Sequence, residues 1–240
     1  MNLLAAIDFK STLTWAVFIA WIMSVVLHEL AHGIVGYLGG DYTIRERGGL
    51  TLNPLQYIDP VFSLLIPAII LIVGGVPLPG GVTYIRMDLI KSRAWQSAVS
   101  LAGPAMNFFI FLGCCLPFHP KLHWIETESV NGQWPNYVLF LGAFGLLQLL
   151  TCFFNLAPIP SLDGFGILSP YLNDRSKAAL TPQLRQTLFF IWFIMLWQVP
   201  AIFELFYRLM FMTLKALGFD FESIHFLTRA YNFALFGKAM

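Results

Sequence analysis

Charge is what this sequence has least of. Asp, Glu, Lys and Arg make up 11% of its 240 residues, against roughly 25% in an ordinary soluble domain. With 58% hydrophobic residues, that scarcity excludes a water-solvated globule. A net charge of +1 leaves no basic surface for nucleic acid. Cysteine is sparse too: Cys114, Cys115 and Cys152 all fall in apolar stretches, where a thiol behaves as a small hydrophobe, so no disulfide framework is expected. Internal repeats and low-complexity tracts are lacking. The start has no basic n-region, Lys10 being the first cationic side chain, and no small-residue cleavage pattern follows. The first apolar run is therefore expected to stay in the mature protein.

What is present is long hydrophobic runs, near residues 12–38, 61–76, 94–116, 136–157 and 186–210. A helix that crosses a bilayer needs about 20 such residues, so the chain reads as an all-α polytopic membrane protein with about five transmembrane helices. One integral membrane domain, residues 1–240, accounts for the whole sequence, with a core over 12–168 and a C-terminal helical anchor over 186–240. The aromatic-rich anchor suits a lipid-facing and interfacial position, and Glu204 and Arg208 are spaced to pair on a helix. The run VFSLLIPAIILIVGG, 61–75, is short, interrupted by Pro67 and closed by Gly74 and Gly75. It is predicted to be re-entrant or to lie against the bundle. YTIRER and LTL flank Gly48-Gly49 as a hairpin would, and VTYIR at 82–86 reads as another strand. Short β-strands are thus expected at one membrane face, with an edge open to a substrate backbone.

Inside the first run lies HELAH. His28 and His32 stand four residues apart, one helical turn along a single face, and Glu29 flanks that face. H-E-x-x-H is the spacing at which two imidazoles bind zinc while the carboxylate acts as base toward water. Such groups at membrane depth cost several kcal/mol on most scales, so polar packing alone is the weaker reading. A catalytic zinc site takes three protein ligands. In NLAPIPSLDG, 155–164, Pro158 and Pro160 break an apolar span before Asp163. Asp-Gly is also ordinary turn chemistry. Rival ligands are His119 and His123 in HPKLH, a segment that Pro117 and Pro120 make a loop.

Topology weighs these candidates. On a helix ending near Leu38, His32 lies about 9 Å and His28 about 15 Å from the end, at 1.5 Å per residue. Asp163 follows the 136–157 span and reaches them only if that span runs in the same direction as the first. An odd number of crossings must then separate the two, which the 94–116 span supplies if 61–75 does not cross. Under that arrangement Arg45, Arg47, Arg86, Lys91, Arg93, Arg175, Lys177 and Arg185 share the metal-side face, whereas the loops of the opposite face carry only Lys10 and Lys121. The positive-inside rule makes the metal side cytoplasmic, and His119 and His123 fall on the far side.

Taken together, HELAH, GGLTLNPLQYIDP at 48–60, AGPAMN at 102–107 and NLAPIPSLDG at 155–164 resemble the site-2 protease family of intramembrane zinc metalloproteases. The likeness is to the small bacterial and archaeal members that have no PDZ domain. It implies one zinc ion held by His28, His32 and Asp163, Glu29 as general base, and Asn107 and Asn155 as polar residues near the substrate path. It also implies transmembrane proteins as substrates, cut within or near their spans in regulated intramembrane proteolysis, and a prokaryotic inner-membrane location with the active site nearer the cytoplasm. One departure is VPLPGGVTYI, where related small members tend to carry a Trp-Ala-Lys-Pro-Val-Pro type stretch. Two other classes of function fit a membrane-depth His/Asp cluster: a metal- or proton-handling membrane protein, and a catalytically silent scaffold.

Overall fold

A 28-residue helix, α1 (Thr12–Gly39), carries HELAH in its last third. The computed structural model to which it belongs describes residues 10–58, 81, 83–122, 124–125 and 134–237. The expected re-entrant run 61–75 and His123 lie outside the described residues. Helix α1 ends where Gly40, at φ 125°, turns the chain and donates its amide to the Gly36 and Tyr37 carbonyls, a conformation that favours glycine.

The expected strand over Tyr42–Arg47 is instead a single helical turn, α2 (Thr43–Glu46). Asp41 explains the difference, because its buried carboxylate accepts from the backbone amide and the hydroxyl of Thr43. That local bond, from a side chain to a backbone amide two residues on, gives the segment a partner other than a neighbouring strand. Arg47 completes the local set with a 3.1 Å ion pair to Asp41. Residues 50–52 are turn and bend, and residues 83–86 carry no strand ladder. The strands expected at this face are therefore absent among the described residues.

The segment from Thr83 to Lys91 runs alongside the C-terminal half of α1. Thr83 hydrogen-bonds to Glu29, the Arg86 amide donates to Asp41 over 2.8 Å, and the Lys91 amide donates to the Gly39 carbonyl. Burial pushes the Asp41 carboxyl upward, but the hydrogen bonds from Thr43 and Arg86 and the Arg47 guanidinium outweigh it and hold it below the ordinary carboxylate range.

Helix α3 (Arg93–Cys115) starts at Ser92, whose side chain accepts from the Trp95 amide, and runs back antiparallel to α1. Helix α4 (Asn136–Leu156) runs forward again. Apolar side chains interleave along these three, among them Val17, Trp21, Phe111, Leu146 and Leu149, all fully or nearly fully buried. In lipid such packing holds helices together mainly by close contact. Pro104 sits inside α3 and cannot donate to the Ser100 carbonyl, so the helix ladder is interrupted one turn before it.

After α4 come two short helices, α5 (Asp163–Leu168) and α6 (Asp174–Ala179). Helices α7 (Pro182–Gln198) and α8 (Pro200–Ala216) follow, and the last is α9 (Phe221–Phe236). Helix α9 packs on α4, where Gly142 admits Ala230, and Thr14 of α1 donates to the Ala234 carbonyl. Helices α7 and α8 meet at an 86° bend at Pro200.

Of the five apolar runs behind the expected count of about five spans, 61–76 lies outside the described residues. Three described helices are long and apolar enough to cross a membrane, or four if α7 and α8 together make one broken span. The all-helical expectation holds for the described residues, and the Glu204–Arg208 pair forms at 2.7 Å. The three cysteines are free thiols.

Candidate metal centre

Histidine spacing on α1 brings the rings of His28 and His32 edge to face, with centroids 4.7 Å apart and Nε2 atoms 3.1 Å apart. Asp163 reaches the same point from the first turn of α5. Its Oδ2 lies 3.1 Å from His28 Nε2 and its Oδ1 3.3 Å from His32 Nε2. The residues between α4 and α5 make this possible. Pro158 and Pro160 end α4, Ser161 takes a positive φ of 84°, and the chain doubles back so tightly that a Cβ on Gly164 would strike the Leu156 carbonyl.

Helix α3 forms the third side. Gly103 faces both imidazoles, and a Cβ there would overlap the Nε2 atoms of His28 and His32. One turn earlier, the Val99 carbonyl is 2.6 Å from His32 Nδ1. A carbonyl only accepts, so the His32 proton sits on Nδ1 and Nε2 presents a lone pair. His28 Nδ1 is 2.6 Å from Asn107 Oδ1. The ligand atoms of His28, His32 and Asp163 all lie within 4.8 Å of one another, and His28 and His32 are buried. Two imidazole nitrogens and a carboxylate oxygen aimed at one point are acceptors facing acceptors, an arrangement that a cation relieves. An N, N, O donor set is one that zinc takes.

Glu29, also buried, points toward a cleft rather than into the bundle. Thr83 Oγ1 lies 2.8 Å from Glu29 Oε2 and 3.0 Å from the Glu29 carbonyl. The cleft, about 230 Å³, is lined by Glu29, His32 and Asp163 together with Thr83, Ser100 and Ser161. Carboxylate, imidazole and Asp163 thus share one cavity, as a base and a metal site must if they act on one substrate.

The other expected site residues are placed differently. Asn107 is buried and its amide is taken at both ends, by His28 and by Gln148. Asn155 is half-buried in the last turn of α4 and is not among the residues lining the cleft. His119 bonds to the Leu217 carbonyl, away from the centre. Sequence reading passed over Thr83, Gly103 and Gln148. Only Gln148 left a signal there, as a polar residue in the middle of an apolar span.

A Mycolicibacterium smegmatis protein named "Putative zinc metalloprotease Rip2" is 37% identical over 204 residues, which cover 85% of this chain and 73% of that protein. A Bacillus subtilis protein named "Putative zinc metalloprotease YwhC" is 32% identical over 183 residues, 76% of this chain and 80% of that one. The chain belongs to the site-2 protease-like family of zinc metalloproteases. The Mycobacterium tuberculosis Rip2 protein is 35% identical over 171 residues, and the match spans 62% of its length. No family model matches the chain, and no solved structure does. As a zinc metalloprotease of the membrane, it carries in His28, His32 and Asp163 a group of side chains that fits the metal.

Proposed function

We propose that this metalloprotease is an intramembrane endopeptidase that cuts client membrane proteins within or near their transmembrane segments, as a step of regulated intramembrane proteolysis. In this reading His28, His32 and Asp163 hold one zinc ion and Glu29 is the general base. The supporting observation is the convergence of three acceptor side chains from α1 and α5 on one point, beside a cleft that Glu29 also lines. Zinc at that point supplies Lewis acidity, polarising a carbonyl and bringing the pKa of water to about 7.

The chain's own residues do the rest. Thr83 holds Glu29 Oε2, which leaves Oε1 to take a proton from water. The resulting hydroxide attacks the peptide carbonyl carbon, the C–N bond breaks, and Glu29 returns the proton to the leaving amine. Residues 1–240 act as one membrane domain, the core 12–168 forming the site and 186–240 anchoring it. Arg45, Arg47, Arg86, Lys91 and Arg93 lie at the metal-side end of α1 and α3, which supports an active site nearer the cytoplasmic face of a prokaryotic inner membrane.

A transport path predicts several acidic or histidine positions strung through the membrane. Among the described residues His28, His32 and Asp163 form the one such metal-binding group, which favours the enzyme.

The test is Glu29→Gln in purified protein with a transmembrane reporter substrate. Zinc content is expected to stay at one per chain while cleavage falls by about 10²-fold or more. Cleavage at the native rate would remove Glu29 from the role of base.

A further inference from the structure

A chain of buried side chains leads away from the metal centre into the bundle. His28 Nδ1 meets Asn107 Oδ1 at 2.6 Å, and Asn107 Nδ2 meets Gln148 Oε1 at 3.1 Å. Gln148 Nε2 meets Ser24 Oγ at 2.8 Å, and Ser24 Oγ meets the Trp21 carbonyl at 2.7 Å. Gln148 is 0% exposed, and Asn107 and Ser24 are each 2% exposed. The chain touches α1, α3 and α4 and then returns to α1.

Its direction follows from its far end. The Trp21 carbonyl can only accept, so the Ser24 hydroxyl spends its one proton there and must accept from Gln148. Gln148 therefore turns its NH₂ to Ser24 and its carbonyl to Asn107. Asn107 in turn gives its NH₂ to Gln148 and presents its carbonyl to His28. A carbonyl facing His28 Nδ1 requires the proton on Nδ1, which frees the Nε2 lone pair for the metal. Amide orientations are otherwise ambiguous; here a backbone group settles each in sequence.

His32 obtains the same tautomer in one step from the Val99 carbonyl. His28 obtains it only through Asn107, Gln148 and Ser24. We infer that Gln148, with Ser24 behind it, is a positioning residue that fixes the tautomer and ring orientation of His28 through Asn107. Groups that orient a metal-binding histidine change metal affinity about 10–100-fold when removed. Gln148 does so from the middle of a different span without touching the site.

The inference rests on the reading that His28 binds the metal, and the experiment separates the two. On detergent-purified full-length protein, zinc affinity is measured by competition with a chromogenic chelator, and the absorption bands of bound cobalt(II) report ligand geometry. Gln148→Met is expected to weaken zinc binding about tenfold or more and to shift the cobalt bands. Asn107→Leu is expected to do at least as much, and adding Gln148→Met to it is expected to change nothing further, because Gln148 acts only through Asn107.

Wild-type affinity and an unchanged cobalt spectrum in Gln148→Met would overturn the inference, as would penalties that add in the double variant. If Gln148→Met does not fold, Ser24→Ala carries the test. A smaller loss in the same direction supports the inference, and an unchanged affinity and spectrum overturns it. His28→Ala is the control. Retention of zinc there would sink the metal-site reading itself, whereas loss there with no effect from Gln148 would sink only this inference.

Discussion

A methyl group on Gly103 would overlap the nitrogens of both imidazoles, and helix backbone cannot retreat without opening the α1–α3 contact. Gly103→Ala is therefore expected to abolish zinc binding while the protein still inserts, a result that zinc content and membrane fractionation would check. Two positions before Asp163, Ser161 holds a positive φ of 84°, which costs a non-glycine residue roughly 1 kcal/mol or more. Ser161→Gly should raise the thermal unfolding midpoint. A simultaneous fall in cleavage would show that its hydroxyl, which lines the cleft, serves the substrate. At this scale the sequence was most readable where function depends on local spacing. His28, Glu29 and His32 share a helical face whatever surrounds them, whereas Asp163, in an Asp-Gly pair that a plain turn also explains, was singled out by the topology and by the family resemblance. Gly103, Thr83 and Gln148 acquire their roles only when α3, the 83–91 segment and α4 are laid against α1, so no spacing along the chain announces them.

Among elements, the turn after α1 shows why local pattern misled. The residues of YTIRER suit a strand by type, but a strand needs a neighbour with which to share its backbone hydrogen bonds, whereas Asp41 offers Thr43 a cap immediately. The same carboxylate holds the Arg86 amide and so fastens the segment that carries Thr83 to Glu29. Because its pKa is lowered in the folded protein, the stability it contributes is fully present above the unfolded value of about 4 and is lost as pH falls through the lower folded value. Hydrogen exchange at the Thr43 and Arg86 amides should accelerate as pH drops below about 4, after correction for intrinsic exchange. In Asp41→Ala it should be fast at all pH values. Equal protection in the two proteins at neutral pH would remove Asp41 from this role. The bend between α7 and α8 falls at Pro200, a residue that cannot continue a helix's hydrogen-bond ladder.

Across the whole molecule, alternation of direction is what lets Asp163 meet α1. The apolar run lengths, the short 61–75 segment and the basic loops together anticipated that alternation. In the proposed site the side chains that would hold zinc come from α1 and α5, so zinc would tie distant parts of the chain in the folded state only. At a free zinc concentration of 100 times Kd it should stabilise the protein by about 2.7 kcal/mol. The unfolding midpoint in detergent should fall on chelation and recover when zinc is restored, and an unmoved midpoint would mean that the metal does not bridge these segments. The buried amide chain adds a condition of timing. As ribosomes deliver spans one after another, α1 and α3 are made before α4, and the route from Ser24 through Gln148 to Asn107 is incomplete until α4 docks. Asp163 follows α4 in the sequence, so an unfinished chain has neither the third proposed ligand nor the buried chain that orients His28.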